Sequence, residues 1–223
     1  MPEHPDGGVL PVIRDVGHAI TCVEYAAVWR IVENCNHLLC FHSALLSKGG
    51  RGVAIVGPST AGKSTLATAL WSSGWDFLCD DLTIALGDRA VAGPRRVSLR
   101  EGSRELVGEE LWTGVQSTPG YRRTSVGCLF HPIQEAAESA AVDLSAVVFL
   151  RRNGAPEGVD GPTMMNPARA AIALLPYTNL VRNLSFPEAL APVADLMSQV
   201  AAYDLPRASL PQMVASVERI CGV

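Results

Sequence analysis

The chain of 223 residues is 48% hydrophobic and only 18% charged, which excludes a disordered protein and fits one compact domain with a substantial core. A net charge of -4 supplies no basic face for a phosphodiester backbone, so nucleic acid is not an expected partner. The arginines between Arg89 and Arg123 alternate with Glu101, Glu105, Glu109 and Glu110 and read as a solvated mixed surface.

The amino terminus, Met1 to Gly8, lacks the basic start and apolar stretch of a secretory signal, and no apolar run reaches membrane-spanning length. A cytoplasmic chain without membrane contact is therefore expected, its six cysteines reduced and mostly buried. Residues 1–40 read as short strands or a strand-helix mix, with apolar runs at Val9 to Ile13 and Ala19 to Val23. Cys35, His37, Cys40 and His42 fall close together, but in an extended segment the first two face opposite to the last two, which argues against zinc.

Residues 41–135 read as a catalytic core, within a single domain spanning 1–223. Leu38 to Leu46 and Val53 to Val56 are apolar runs joined by the turn Lys48-Gly49-Gly50-Arg51, the pattern of two paired strands. Ser64 to Trp71 carries strong helix formers with apolar residues at Leu66, Ala69 and Leu70, and Gly74 follows as a helix stop. Trp75 to Cys79 then reads as a strand delivering Asp80 and Asp81, and Leu82 to Leu86 runs extended to a turn at Gly87-Asp88. Val126 to Phe130 and Ala146 to Leu150 are further strand candidates. Residues 136–223 are expected to add a core strand and then helices: Ala168 to Leu175 after the cap Asn166-Pro167, one after Ser185-Phe186-Pro187, and one from Ser209-Leu210-Pro211-Gln212 to Cys221-Gly222.

Between the second strand and the first core helix lies Gly57-Pro58-Ser59-Thr60-Ala61-Gly62-Lys63-Ser64. A loop with glycines at both ends can turn its backbone amides onto phosphate oxygens where side chains would block them. Lys63 can reach the outer phosphates, Ser64 can ligate magnesium, and the helix that follows presents its positive end to the same anion. ATP with Mg2+ is the expected ligand, held by Gly57, Pro58, Ser59, Thr60, Ala61, Gly62, Lys63, Ser64 and Thr65. The alternative, an ordinary glycine-rich turn, does not account for the strand before it and the helix after it.

The adjacent carboxylates Asp80 and Asp81 can divide labour beside a magnesium nucleotide, one on the metal and one accepting the proton of an attacking hydroxyl. Without the loop, an acidic pair after a strand would read as solvent-facing. His42 on its own merits reads as a core histidine. Arg100, Arg122 and Arg123 are candidates to neutralise phosphate.

The stretch from His42 to Asp81 (His42-Ser43-Ala44-Leu45-Leu46, Gly52 to Ser59, Gly62-Lys63-Ser64-Thr65, Gly74 to Asp81) resembles the catalytic domain of HPr kinase/phosphorylase. That resemblance implies an α/β P-loop kinase fold with a mixed sheet, HPr kinase/phosphoenolpyruvate carboxykinase-like. It places His42 near the transferred phosphate, makes Asp80 the base for a serine hydroxyl, and lets Asp81, with Ser64, act through magnesium. Pro94 to Ser103 is similar to stand-alone HPr-kinase-like proteins, some of which phosphorylate ribosomally made precursors such as lasso peptides on serine. The chain lacks room for the large amino-terminal domain of full HPr kinases, Thr60 stands at a usual glycine, and Thr65 at a usual acidic residue. HPr as substrate and the reverse, phosphorylase reaction are therefore left open. The expected function is an ATP- and Mg-dependent serine kinase acting on a peptide or small protein. A small-metabolite P-loop kinase and a non-catalytic nucleotide-binding regulatory protein are the rivals, and homo-oligomerisation stays open.

Overall fold

The computed structural model describes residues 16–35, 37–93, 96–118, 120–124, 127–130, 141–154, 161–182 and 184–223. Its centre is set by apolar runs that only a strand covered on both faces can bury. In β3 (Arg51–Val56) the residues Val53, Ala54, Ile55 and Val56 are all fully buried. Ala54 and Val56 join the core formed by α4 (Pro167–Leu174) and α5 (Phe186–Gln199), whereas Val53 and Ile55 join that of α2 (Lys63–Ser72), α3 (Arg104–Gln116) and α6 (Leu210–Cys221). The alternation is that of a strand, and it makes a three-layer domain with helices on both sides of one sheet. Each fully buried Val, Leu or Ile contributes about 1.5–3 kcal/mol, so the sheet centre holds the carboxyl end of β3 firmly in place.

Among the described residues the main sheet has nine strands. β10 (Val142–Gly154) runs parallel to β3 on one edge, and its other edge is taken first by β6 (Arg89–Ala92), antiparallel, and then by β12 (Ala201–Arg207), parallel. β2 (Ser43–Lys48) pairs antiparallel with β3 and with β4 (Asp76–Cys79). β5 (Thr83–Leu86) forms a hairpin with β6 and pairs with β1 (Leu39–Phe41), and β11 (Thr163–Met164) edges β12. The sheet is mixed, as expected. A second, three-stranded sheet, β7 (Val97–Arg100), β9 (Gly127–Phe130) and β8 (Arg122–Thr124), packs on the α2 side through Val97, Leu99, Cys128 and Phe130.

Several expectations are corrected. Of the apolar runs in residues 1–40, Ala19 to Val23 lies within a helix, α1 (Val16–Asn34), one of the two alternatives expected there. Val9 to Ile13 falls outside the described residues, as does Val126. The single strand expected over Leu38 to Leu46 is two, broken at His42. Asn179, which is buried, accepts from the Cys40 amide and donates to the Leu38 carbonyl, and the His42 amide donates to the Tyr177 carbonyl. These bonds tie β1 and the break to residues 177–179 far along the chain, so the break has a tertiary cause. The stretch around Arg89 to Arg123 is no mere solvated surface, because it holds β7, α3 and the buried Trp112 and Val115. The carboxy-terminal third also contains β12, a core strand.

Candidate active site

β2 begins where β3 ends, since Ser43 pairs with Val56, and β4 runs in the same direction as β3 with β2 between them. This topology brings the loop after β3, the acidic pair after β4 and His42 before β2 to one edge of the sheet. The loop glycines differ in what they allow. A Cβ on Gly57 would sit 2.9 Å from the Leu150 carbonyl oxygen, so a side chain is barred by close packing against β10. Gly62 has φ +100 at the entry to α2, with nothing near a Cβ, so the constraint there is conformational. Thr60 holds φ +69 without being glycine, in the region that costs a β-branched residue most.

Lys63 is 7% exposed, and its ammonium donates to the carbonyls of Gly57 at 2.9 Å and Pro58 at 3.3 Å. Burial lowers its pKa, and the neighbouring Asp80 acts in the opposite direction. The Ser64 hydroxyl donates to Asp80 Oδ2 at 2.8 Å, and the Ser98 amide on β7 reaches the same oxygen at 3.3 Å. Asp80 is 2% exposed, so its carboxylate is held between loop helix and small sheet.

Asp81 lies in a different setting. Its φ is +77, and its side chain keeps 20% exposure. His42 Nδ1 lies 3.1 Å from the Asp81 carbonyl oxygen and 3.4 Å from Asp81 Oδ1. Both neighbours are acceptors, which assigns the proton to Nδ1. The sharp turn is fixed by Cys79, whose thiol meets the Leu82 carbonyl, and by the Gly93 amide donating to that same carbonyl.

These groups open into a cavity of about 510 Å³ lined by residues 59–66, His42, Asp80 and Asp81. Gly57 and Pro58 do not line it; their carbonyls serve Lys63. Thr65 pairs with Ser103 at 3.1 Å in the wall. Arg100 lines the cavity, but Arg122 and Arg123 do not; both are exposed on β8. Sequence reasoning missed Tyr25, Ser98, Ser103 and Arg207, all of which line it. Arg207 ends β12, and because β12 runs parallel to β10 and β3 it reaches the same edge; recognising β12 as a core strand was the one signal that could have found it. Tyr25 is brought there by α1, which is tied down by a sheltered ion pair, Arg96 to Glu24 at 2.6 Å, and by Arg182 over the Trp29 ring at 4.6 Å.

A larger hollow of about 660 Å³ lies alongside and is lined by neither the glycine loop nor Asp80 and Asp81, so the site is assigned by its groups and not by size. Among the described residues no cluster of three or more His, Cys, Asp or Glu could hold a metal. Magnesium bound with a polyphosphate needs only one or two protein oxygens, and Ser64 Oγ with an Asp80 carboxylate oxygen beside Lys63 is a fitting hard-donor set. No helix among the described residues is long and apolar enough to cross a membrane.

A scan against protein-family models and a search of curated proteins find no match. Among solved structures the chain is similar to the HPr(Ser) kinase/phosphatase from Coxiella burnetii, at 15% identity over 81% of this chain and 96% of that chain, with a TM-score of 0.40. A superposition that loose does not establish a shared fold, and the chemistry of the site rests on its own residues.

Proposed function

We propose that this chain is a kinase that transfers the terminal phosphate of ATP, with magnesium, to a serine hydroxyl on a peptide or small protein, ribosomally made precursors included. The observation that carries this reading is the contact of Ser64 with the buried Asp80 beside Lys63, with a second, more exposed carboxylate at the same edge. A loop serine and an aspartate joined in this way are the pair that holds magnesium in nucleotide sites built on such loops. When bound, magnesium would supply charge neutralisation on the outer phosphate oxygens.

The chain's own groups do the rest. The loop amides and the start of α2 donate to phosphate oxygens, and Lys63 exchanges the Gly57 and Pro58 carbonyls for the outer phosphates. Arg100 and Arg207 add positive charge to the walls. The resemblance implies Asp80 as base, but the geometry favours the opposite division. Asp80 is already engaged by Ser64, whereas Asp81 is accessible and steadied by His42. In this scheme an Asp81 carboxylate oxygen takes the serine proton as the Oγ–phosphorus bond forms and the bridging oxygen leaves with ADP.

The groove beside the cavity supports a polypeptide acceptor over an enclosed metabolite. Incubation with ATP, magnesium and serine peptides, including those encoded beside this chain, is read by intact mass. One added phosphate on serine is expected; nucleotide bound with no transfer to any peptide, or transfer to small alcohols alone, overturns the reading.

A further inference from the structure

Leu106 and Leu210 bound the catalytic cavity and also bound the larger hollow of about 660 Å³ between α2, α3 and α6. α3 makes this possible by breaking its helical path at Gly108, where φ is +81 and ψ +162. The turn before the break gives Leu106 to both spaces, and the stretch after it gives Glu110, Leu111 and Gly114 to the groove alone. Leu106 is 57% exposed, a large apolar side chain left in water at the junction. The groove lining mixes the apolar Trp71, Val107 and Val214 with the polar Ser72 and Ser73. Among the described residues its lining carries two charges, Glu110 and Glu218, and no lysine or arginine. Glu218 is partly answered from outside the groove by Lys48 at 3.2 Å.

We propose that this groove docks the acceptor polypeptide, holding a segment next to the phosphorylated serine in which apolar side chains are combined with lysine or arginine. The proposal rests on the kinase reading, because the occupant is the acceptor. Any chain that delivers a serine to Asp81 past Leu106 and Leu210 has its neighbouring residues in the groove. The apolar part of the lining, with Trp71, Val107 and Val214, gains by covering hydrophobic side chains, and carboxylates with no cation in the lining select a basic segment while repelling an acidic one. An extended segment lying along a groove is one of the recurring ways in which proteins hold peptides.

The test uses the full chain without nucleotide and three short fluorescent peptides with one central serine, flanked by Leu and Arg, by Leu and Glu, or by Gly and Gln. Anisotropy gives their affinities, and transfer from ATP is then followed by mass. Two exposed groove positions are changed, Glu110→Arg and Ala215→Trp, neither of which lines the catalytic cavity. The Leu/Arg peptide is expected to bind best, and each variant to weaken it by about tenfold while nucleotide affinity and melting temperature stay unchanged. Equal affinity for the Leu/Arg and Leu/Glu peptides, or unchanged affinity in both variants, overturns the proposal. Transfer to serine at unchanged KM in both variants removes the groove and leaves the kinase. Binding lost in the variants with no transfer to any peptide removes the kinase and leaves a peptide groove.

Discussion

Ser64 and Asp80 meet at 2.8 Å, while one residue on the chain turns through a left-handed φ and hands Asp81 to His42. Two adjacent carboxylates thus acquire different surroundings, and their substitutions separate. Asp81→Asn is expected to lower kcat by about 10²–10⁴-fold with magnesium-ATP affinity kept. Asp80→Asn should weaken magnesium-ATP binding together with turnover; isothermal titration beside steady-state kinetics reads both, and loss of turnover alone in Asp80→Asn would return the base to that residue. At Thr60, φ +69 strains a β-branched side chain by roughly 1–2 kcal/mol, less the extra chain entropy of glycine. Thr60→Gly is therefore expected to raise the melting temperature by about 2 °C, and a fall would mean that the threonine hydroxyl is used. Lys63 titrates below the ordinary lysine value of 10.5 because it is buried. Between its lowered folded value and 10.5 the unfolded chain binds more protons, so stability of the nucleotide-free protein rises with pH there. Denaturant titrations at stepped pH should show that rise in the native chain and not in Lys63→Met.

Gly127 shows how an element away from the loop governs the site. A Cβ there would lie 1.9 Å from the Leu99 carbonyl oxygen, at φ +157, in the pairing of β9 with β7. Gly127→Ala forces β7 away and takes the Ser98 amide from Asp80, costing about 3 kcal/mol in stability. A normal melting temperature with full activity would refute that link. The helices α4, α5 and α6 were legible because their starts are local chemistry: Asn166 accepts from the Arg169 amide, and Ser185 and Ser209 form capping boxes with Glu188 and Gln212. The loop, its helix and the acidic pair were legible for the same reason, since glycine spacing and Gly74 at φ +83 act within a few residues. β7 and α3 were hidden because their charges masked one apolar face, β8 because its Arg-Arg-Thr sequence has none, and the split of β1 from β2 depends on Asn179, far along the chain.

For the molecule as a whole, the cysteines report the core from within. Cys40, Cys79, Cys128 and Cys221 are buried, and burial pushes the thiols up to about 11, 12, 11 and 11 respectively. Cys22 and Cys35 are half-buried. A thiol reagent at mildly alkaline pH should modify those two rapidly and the other four only on unfolding; fast modification of Cys79 would contradict the packing around the acidic pair.

The sequence by itself determined the loop, the helix behind it, the adjacent carboxylates and the capped helices, because each depends on groups within one turn or one hairpin. Only the tertiary structure decided which carboxylate meets Ser64, that Arg207 and Tyr25 enter the cavity, and that a groove adjoins it. Those outcomes come from strand order, which sets Ser64 against Asp80 and carries Arg207 to the loop from far along the chain, and no local preference encodes such a meeting.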